Sequence, residues 1–466
     1  MSIHSIEKMS KSIKLKKGFN INLAGKAALQ TSSEIVPDTY AIKPTDFVGM
    51  IRPKVIVKEG DNVKAGTPIM FDKKAESIMY TSPVSGEIVE IKRGDKRKLL
   101  EVKILADKEI EFEEFTSYSV SDIENLDTET AKAQMLKSGV WPNIIQRPFA
   151  IVANPDDTPK SIFISAFDSH PLAPDYAYLF KNQDKYFQAG VEILKKFTKG
   201  AIHVNLDGNA EVPSIFSQAK DIQINKFYGK HPAGNVGVQI HHIDPINAGE
   251  IVWTLNPYGV IQIGKLFMEG KYDASKLLAV TGSELKEPKY HSVYSGASIE
   301  KFLDGQLKND HVRVVSGNIL TGESIGKKGY LGFYDHMITV LPEGDNQRFV
   351  LTDGWFAITK NRLSFHRAFG LLSFLNGSNK EYVLDTNTNG QKRAFVMTGA
   401  FEKVVPMDIL PTHLLKAIMA EDYDEMEALG IYEVAEEDLA LCEYIDVSKH
   451  DVQSIVRKGI NLMREA

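Results

Sequence analysis

Residues 52–94 read RPKVIVKEGDNVKAGTPIMFDKKAESIMYTSPVSGEIVEIKRG. Val55 and Val57 alternate with polar neighbours until Gly60-Asp61 turns the chain, and Gly66-Thr67-Pro68 turns it again into Ile69-Met70-Phe71. Pro83 and Ser85-Gly86 punctuate the second half, after which Val89 and Ile91 flank Glu90. Alternation puts apolar side chains on one face, and Gly, Pro and Asp supply the reversals, so short runs of this kind build small twisted sheets. The stretch predicts two matched half-motifs of short strands.

This spacing resembles the barrel-sandwich fold of biotinyl and lipoyl carrier domains. Lipoyl domains carry a modified lysine after an aspartate, in a tight hairpin between the two halves, and Asp72-Lys73-Lys74 stands at about that place. The lysine is doubled here, no methionine flanks it, and Pro83 follows nine or ten positions later. The expectation is a solvated charged turn at Lys73 and Lys74, without a swinging lipoyl or biotinyl arm.

The chain has 466 residues, enough for about three domains of ~150 residues. A formal net charge of −6 argues against a nucleic-acid partner, which calls for a basic face to neutralise phosphates. A single cysteine, Cys442, excludes both a disulfide framework and a thiolate-held iron–sulfur cluster. No apolar run approaches the ~18 residues of a membrane span, and the N-terminus has charges but no apolar signal core. The expected location is cytoplasmic, soluble or peripheral to a membrane, with Met1 or Met9 as the start.

Beyond residue 115, helices are expected at 129–138, 188–199 and 298–303, and strands at 161–165 and 201–207. Further strands are expected at 251–255, 260–267, 277–281, 312–315 and 338–341. Strands alternating with helices imply an α/β layer. The last ~60 residues carry helical apolar stripes, one through Leu414, Leu415 and Ile418, another through Val452, Val456 and Ile460.

Few local motifs carry chemistry. Thr321-Gly322-Glu323-Ser324-Ile325-Gly326-Lys327-Lys328 has three residues between its glycines and no Ser or Thr after the lysine, so it is a solvated turn and not a phosphate loop. His241-His242, read in a strand, point to opposite faces and do not share a metal. His231-Pro232-Ala233-Gly234-Asn235-Val236-Gly237 reads as a tight loop between strands whose N–H groups could face an anion or a flat ring. No G-x-S-x-G elbow supports hydrolase chemistry.

Several segments together are similar to one family, that of the A-type subunits of sodium-translocating NADH:quinone reductases. They include KKGFNINLAG (16–25), FVGMIRPKVIVKEGDNV (47–63), YGKHPAGNVGVQIHHIDPINA (228–248), VRVVSGNILTG (312–322), YLGFYDHMITVLPEG (330–344) and EEDLALCEYIDVSKHD (436–451). The resemblance implies a mixed α/β protein with four parts: a carrier-like barrel-sandwich hybrid, a Rossmann-like α/β domain, a β-grasp (SLBB) domain and a helical C-terminal domain. Their expected bounds are 1–115, 116–255, 256–345 and 406–466, with an α/β connecting region at 346–405. It also implies a peripheral cytoplasmic subunit of a six-subunit bacterial inner-membrane complex that couples electron flow from NADH to quinone with Na+ export. NADH, flavins and iron–sulfur centres then belong to other subunits.

The family is related to the C-type subunit of Rnf complexes and to the flavin- and NADH-binding chain of respiratory complex I. No Asp or Glu lies between His231 and Ile243, where those relatives carry an acidic flavin loop. The chain is therefore expected to bind neither FMN nor NADH tightly, although a flavin-dependent NADH dehydrogenase and a ligand-free scaffold stand as alternatives. A quinone site needs flat apolar contacts and donors for two carbonyls. Two segments offer both: Phe47, Met50 and Arg52 in one, and Trp141, Arg147 and Phe149 in the other. On this reading Arg147 is removable without unfolding the protein. The same side chains also suit ordinary core and surface positions.

Overall fold

The computed structural model describes residues 10–345 and 379–466, together with positions 349, 351, 363 and 365. About half of the expected connecting region at 346–405 lies outside the described residues, as do Met1 and Met9.

The stretch at 52–94 forms two small sheets. One orders Thr39–Ile42, Leu99–Ala106, Gly86–Arg93 and Asn62–Val63, and the other orders Pro53–Val55, Pro68–Asp72 and Ala75–Thr81. Ile69, Met70, Val84, Ile88 and Val102 fill the space between them. Lys73 and Lys74 are the two-residue turn joining Pro68–Asp72 to Ala75–Thr81. The buried Asp72 carboxylate fixes that turn by accepting from the N–H groups of Ile51, Arg52 and Lys74.

The α/β layer is a seven-stranded sheet. Its order is Ser12–Lys14, Gln223–Tyr228, Ile202–Asp207, Ser161–Ser165, Val252–Leu255, Ile145–Arg147 and Ile151–Val152. The first five strands run parallel, and the last two form an antiparallel edge. From Ser161–Ser165 the chain builds outward through Ile202–Asp207 and Gln223–Tyr228, then crosses to Val252–Leu255 on the other side. The strand order therefore reverses between Ser161–Ser165 and Val252–Leu255, which opens a crevice at their carboxyl ends.

Two sequence expectations need correction in this layer. Residues 260–267, expected as a strand, lie in the helix Pro257–Glu269. The helix is buried on nearly every side, which hides its period. Its ends are explicit, however: Asn256 caps it by accepting from Gly259 N, Pro257 opens it, and Gly270 closes it in the left-handed region. His241 and His242, expected in a strand, lie in the helix Val236–Ile243, so the HPAGNVG segment is not a loop between strands but the entry to this helix.

The third layer is a mixed six-stranded sheet in the order Glu323–Ser324, Val312–Ser316, Met337–Pro342, Ser275–Thr281, Lys289–Tyr294 and Ala28–Ser32. The strands near the N-terminus thus join two sheets built mainly by later residues. The C-terminal part packs the helices Pro411–Ala420, Tyr423–Ala428, Ala440–Ile445 and Val452–Glu465 against one another. Among the described residues, no helix is long and apolar enough to cross a membrane.

Candidate functional site

A cavity of ≈ 840 Å³ opens where the strand order reverses. Ser165, Phe167, Leu255 and Asn256 line it from the carboxyl ends of the two central strands, and Gly234 and Asn235 line it from the entry to the helix Val236–Ile243. Asn318, Asp335 and His336 close it from the mixed sheet, and Glu436, Glu437 and Arg457 from the C-terminal part. Three structural layers therefore share one site.

The loop that follows Ser161–Ser165 holds its titratable centre. Asp168 Oδ1 meets His170 Nδ1 at 2.6 Å. Burial alone would lower the His170 pKa, but the Asp168 carboxylate outweighs it and holds the imidazole above its ordinary value. Burial would likewise raise Asp168, yet His170 keeps that carboxylate below the usual range. Each partner therefore favours the charged form of the other, and the buried His170 Nε2 has no hydrogen-bond partner. His231 packs on His170 with ring centroids 4.5 Å apart. Burial first, and then its charged neighbour, push His231 down to about 3, so it is neutral, and its Nδ1 pairs with Ser169 Oγ at 3.0 Å. His336, on the opposite wall, is pushed well below the ordinary histidine value by burial, and its Nε2 is also unpartnered. Tyr176, beside them, is held protonated by burial and then by Asp168.

This arrangement has a chemical consequence. An imidazole that its aspartate partner biases toward the charged form lines the cavity from the α/β layer and a neutral one lines it from the mixed sheet, each with a buried nitrogen unpaired. Such atoms are costly unless a ligand or water satisfies them.

The six side chains singled out from sequence are placed very differently. Arg147 lines the cavity. Its guanidinium is committed, with Nη2 donating to Glu437 Oε1 at 2.5 Å and Nη1 to Asp438 Oδ2 at 3.2 Å, so only Nε is unpartnered. Burial, which would lower its pKa, is outweighed by these two acids. Trp141 is wholly buried, donates Nε1–H to Ala153 O at 2.8 Å, and packs edge-on against Trp253. Phe47 is 2% exposed, with its ring 4.4 Å from Tyr80 and 4.9 Å from Phe333. Met50 and Phe149 are half-buried against the core, and Arg52 is exposed. The first segment packs on the strand that follows the second, because a Cβ on Gly49 would lie 2.7 Å from Ile151 Cγ2. Val48 from the first segment, and Asn143 and Ile145 from the second, line the cavity along with Arg147.

Sequence reasoning passed over Asp168, His170 and His336. The signal for the first two was present, since Asp-x-His directly follows the carboxyl end of a buried strand, where open α/β sheets place ligands. His241 and His242 work elsewhere. His241 Nδ1 pairs with Glu433 and its Nε2 accepts from Asp408 N, while His242 Nε2 pairs with Pro406 O. Together they fasten the C-terminal part to the helix Val236–Ile243. Among the described residues no cluster of three His, Cys, Asp or Glu is placed to hold a metal.

Comparison with known proteins places the chain. Residues 13–107 match the NqrA N-terminal barrel-sandwich hybrid domain, 126–272 the NqrA second alpha/beta domain, and 277–326 the NQRA C-terminal domain, an SLBB-type model. The A-type subunit of the Na(+)-translocating NADH-quinone reductase of Alcanivorax borkumensis is 37% identical over 452 residues, 96% of this chain and 98% of that protein. Its counterpart in Serratia proteamaculans is 36% identical over 449 residues, again 96% and 98%. The counterpart in Neisseria meningitidis serogroup A is 37% identical over 454 residues, 97% and 99%. Among solved structures, a chain of the air-oxidized NAD+-reducing [NiFe]-hydrogenase superposes with a TM-score of 0.34 at 10% identity, covering 66% of this chain and 55% of that one, too loosely to bear on the site. Identity of this level along nearly the whole length, with three matched domains in order, makes this chain a member of the NqrA family, the A-type subunits of Na+-translocating NADH-quinone reductase.

Proposed function

We propose that the chain is the peripheral, cofactor-poor subunit of a sodium-pumping NADH:quinone oxidoreductase and that its central cavity handles the quinone headgroup. It docks on the other five subunits from the cytoplasmic side of the bacterial inner membrane. NADH oxidation, the flavins and the iron–sulfur chemistry are carried by those partners. The α/β layer is read as Rossmann-like and the mixed sheet as a β-grasp.

The observation that carries this reading is the pair of unpartnered nitrogens, His170 Nε2 and His336 Nε2, on the walls of one ≈ 840 Å³ cavity. Cavities of this size suit a ring-sized ligand with a few placed polar groups. Phe167, Tyr176 and Val236 supply apolar surface for a ring, and protonated His170 donates a hydrogen bond to one carbonyl oxygen. Reduction of a quinone to its hydroquinone takes up two electrons and two protons. Partner subunits deliver the electrons. His170 is placed to give one proton at that oxygen, the second proton reaches the other oxygen from solvent water, and Asp168 steadies the imidazolium before transfer.

A photoreactive short-chain quinone, irradiated on the assembled complex and mapped by mass spectrometry, tests the reading. Labelled peptides from residues 165–176 or 334–337 are expected. Labelling confined to other subunits, or to surfaces of this chain away from the cavity, would remove the quinone from this site.

A further inference from the structure

The helix Val236–Ile243 starts at the cavity, at the carboxyl end of a parallel sheet. A helix start in that position presents unbonded N–H groups and a partial positive charge, and α/β folds hold phosphates there. In this chain the place is taken. A Cβ added to Gly237, in the first turn, would lie 2.2 Å from Asp438 Oδ2 and 2.5 Å from Asp438 Oδ1. Only glycine lets the carboxylate come so close.

Asp438 comes from the C-terminal part and is fully buried, and its Oδ1 has no hydrogen-bond partner. Its Oδ2 accepts from Ala435 N at 2.9 Å and from Arg147 Nη1 at 3.2 Å. The side-chain amide of Asn235 just before the helix donates to Glu437 O at 2.8 Å, which ties the acidic turn to the helix start. Locally, Glu436, Glu437 and Asp438 face the two guanidiniums of Arg147 and Arg457.

Resting on the reading of the cavity as a quinone site, we infer that Asp438, with Glu437 beside it, is the built-in anion of this cleft and sets its ligand class. It occupies the position of a ligand phosphate, so the cavity takes an uncharged ring and rejects ligands that carry a phosphate group. The scaffold keeps a phosphate-binding geometry, Arg147 included, and the chain's own carboxylate fills it.

The test is chemical rescue in the full-length chain. Glu437→Ala/Asp438→Ala opens the space and removes both ion-pair partners of Arg147. Inorganic phosphate, compared with sodium chloride at equal ionic strength, should raise the melting temperature of this variant and leave that of the wild type unmoved. Phosphate should bind the variant at least about tenfold more tightly than the wild type, the effect of one charge-assisted interaction. Glu437→Ala alone frees Arg147 Nη2 with little risk to folding and should show a smaller gain of the same sign, which keeps the test decisive if the double variant does not fold. No phosphate-specific gain in either variant, or phosphate protection of the wild type as large as that of the variants, would overturn the inference. Short-chain quinone titrated into the wild type reports separately. Phosphate rescue without quinone binding leaves Asp438 as the built-in anion and removes the quinone reading, whereas quinone binding without phosphate rescue does the reverse.

Discussion

Arg147 and Asp438 stand 291 positions apart in the chain and meet at 3.2 Å inside the protein, where the α/β sheet touches the C-terminal acidic turn. Both are buried, and Asp438 is pushed up to about 6 by burial even though Arg147 opposes that shift. This contact fastens the wall of the cavity, so a residue that sequence alone offers as a quinone donor is also a structural tie.

Arg147→Ala should therefore destabilise the protein, because it leaves the Asp438 carboxylate buried without its partner. The expected cost is about 3–5 kcal/mol. Adding Asp438→Asn to Arg147→Ala should restore part of it. Thermal unfolding of the two single variants and the double variant measures the coupling, and strictly additive losses would show that the pair contributes no interaction of its own.

The Asp168–His170 couple gives a pH dependence with a defined sign. His170 is raised in the folded state, so its contribution is full below the unfolded value of about 6.5 and fades as pH rises through the raised one. Asp168 is lowered, so its contribution is present above about pH 4 and fades as pH falls through the lowered value. His170→Gln should cost more stability at pH 6 than at pH 9. Melting temperatures of wild type and variant at these two pH values check it, and equal losses at both would mean that His170 is uncharged in the fold.

Gly264 sits where the helices Asp184–Leu194 and Pro257–Glu269 touch. An added Cβ would lie 1.8 Å from Tyr186 O and 3.0 Å from Gly190 N. Gly264→Ala should lower stability by about 1–3 kcal/mol despite its better helix propensity. A melting temperature equal to or above that of the wild type would contradict this packing.

Trp141→Phe loses the bond to Ala153 O and should cost about 1–3 kcal/mol without changing quinone affinity. Arg52→Ala, at an exposed position, should leave stability within about 0.5 kcal/mol and affinity unchanged. Quinone titration with melting curves on both variants separates core and surface roles from a binding role.

The barrel-sandwich stretch was readable in advance because alternation and turn residues are local signals, and the Asp72–Lys74 turn lies where they put it. The helix Pro257–Glu269 was not readable from its apolar run, since burial on almost all sides erases periodicity, although Asn256-Pro257 and Gly270 mark its ends. His241 and His242 were misplaced for a related reason: the short helix Val236–Ile243 holds too few polar residues to show a period of 3.6. Of the site, sequence reached Arg147 but not its acids. The pairing of Arg147 with Asp438, and of the His170 wall with His336, arises only when three layers close on one another.

If protonated His170 holds a quinone carbonyl in the cavity, removing its imidazole weakens quinone binding. The most direct measurement is the dissociation constant of a short-chain quinone for wild type and His170→Leu at pH 7, with folding of the variant verified by circular dichroism. Loss of a charge-assisted hydrogen bond worth about 1.5–3 kcal/mol predicts roughly ten- to hundredfold weaker binding, with a matching fall in NADH-to-quinone turnover in the assembled complex. Unchanged affinity and unchanged turnover in a folded His170→Leu protein would mean that His170 does not bind the quinone.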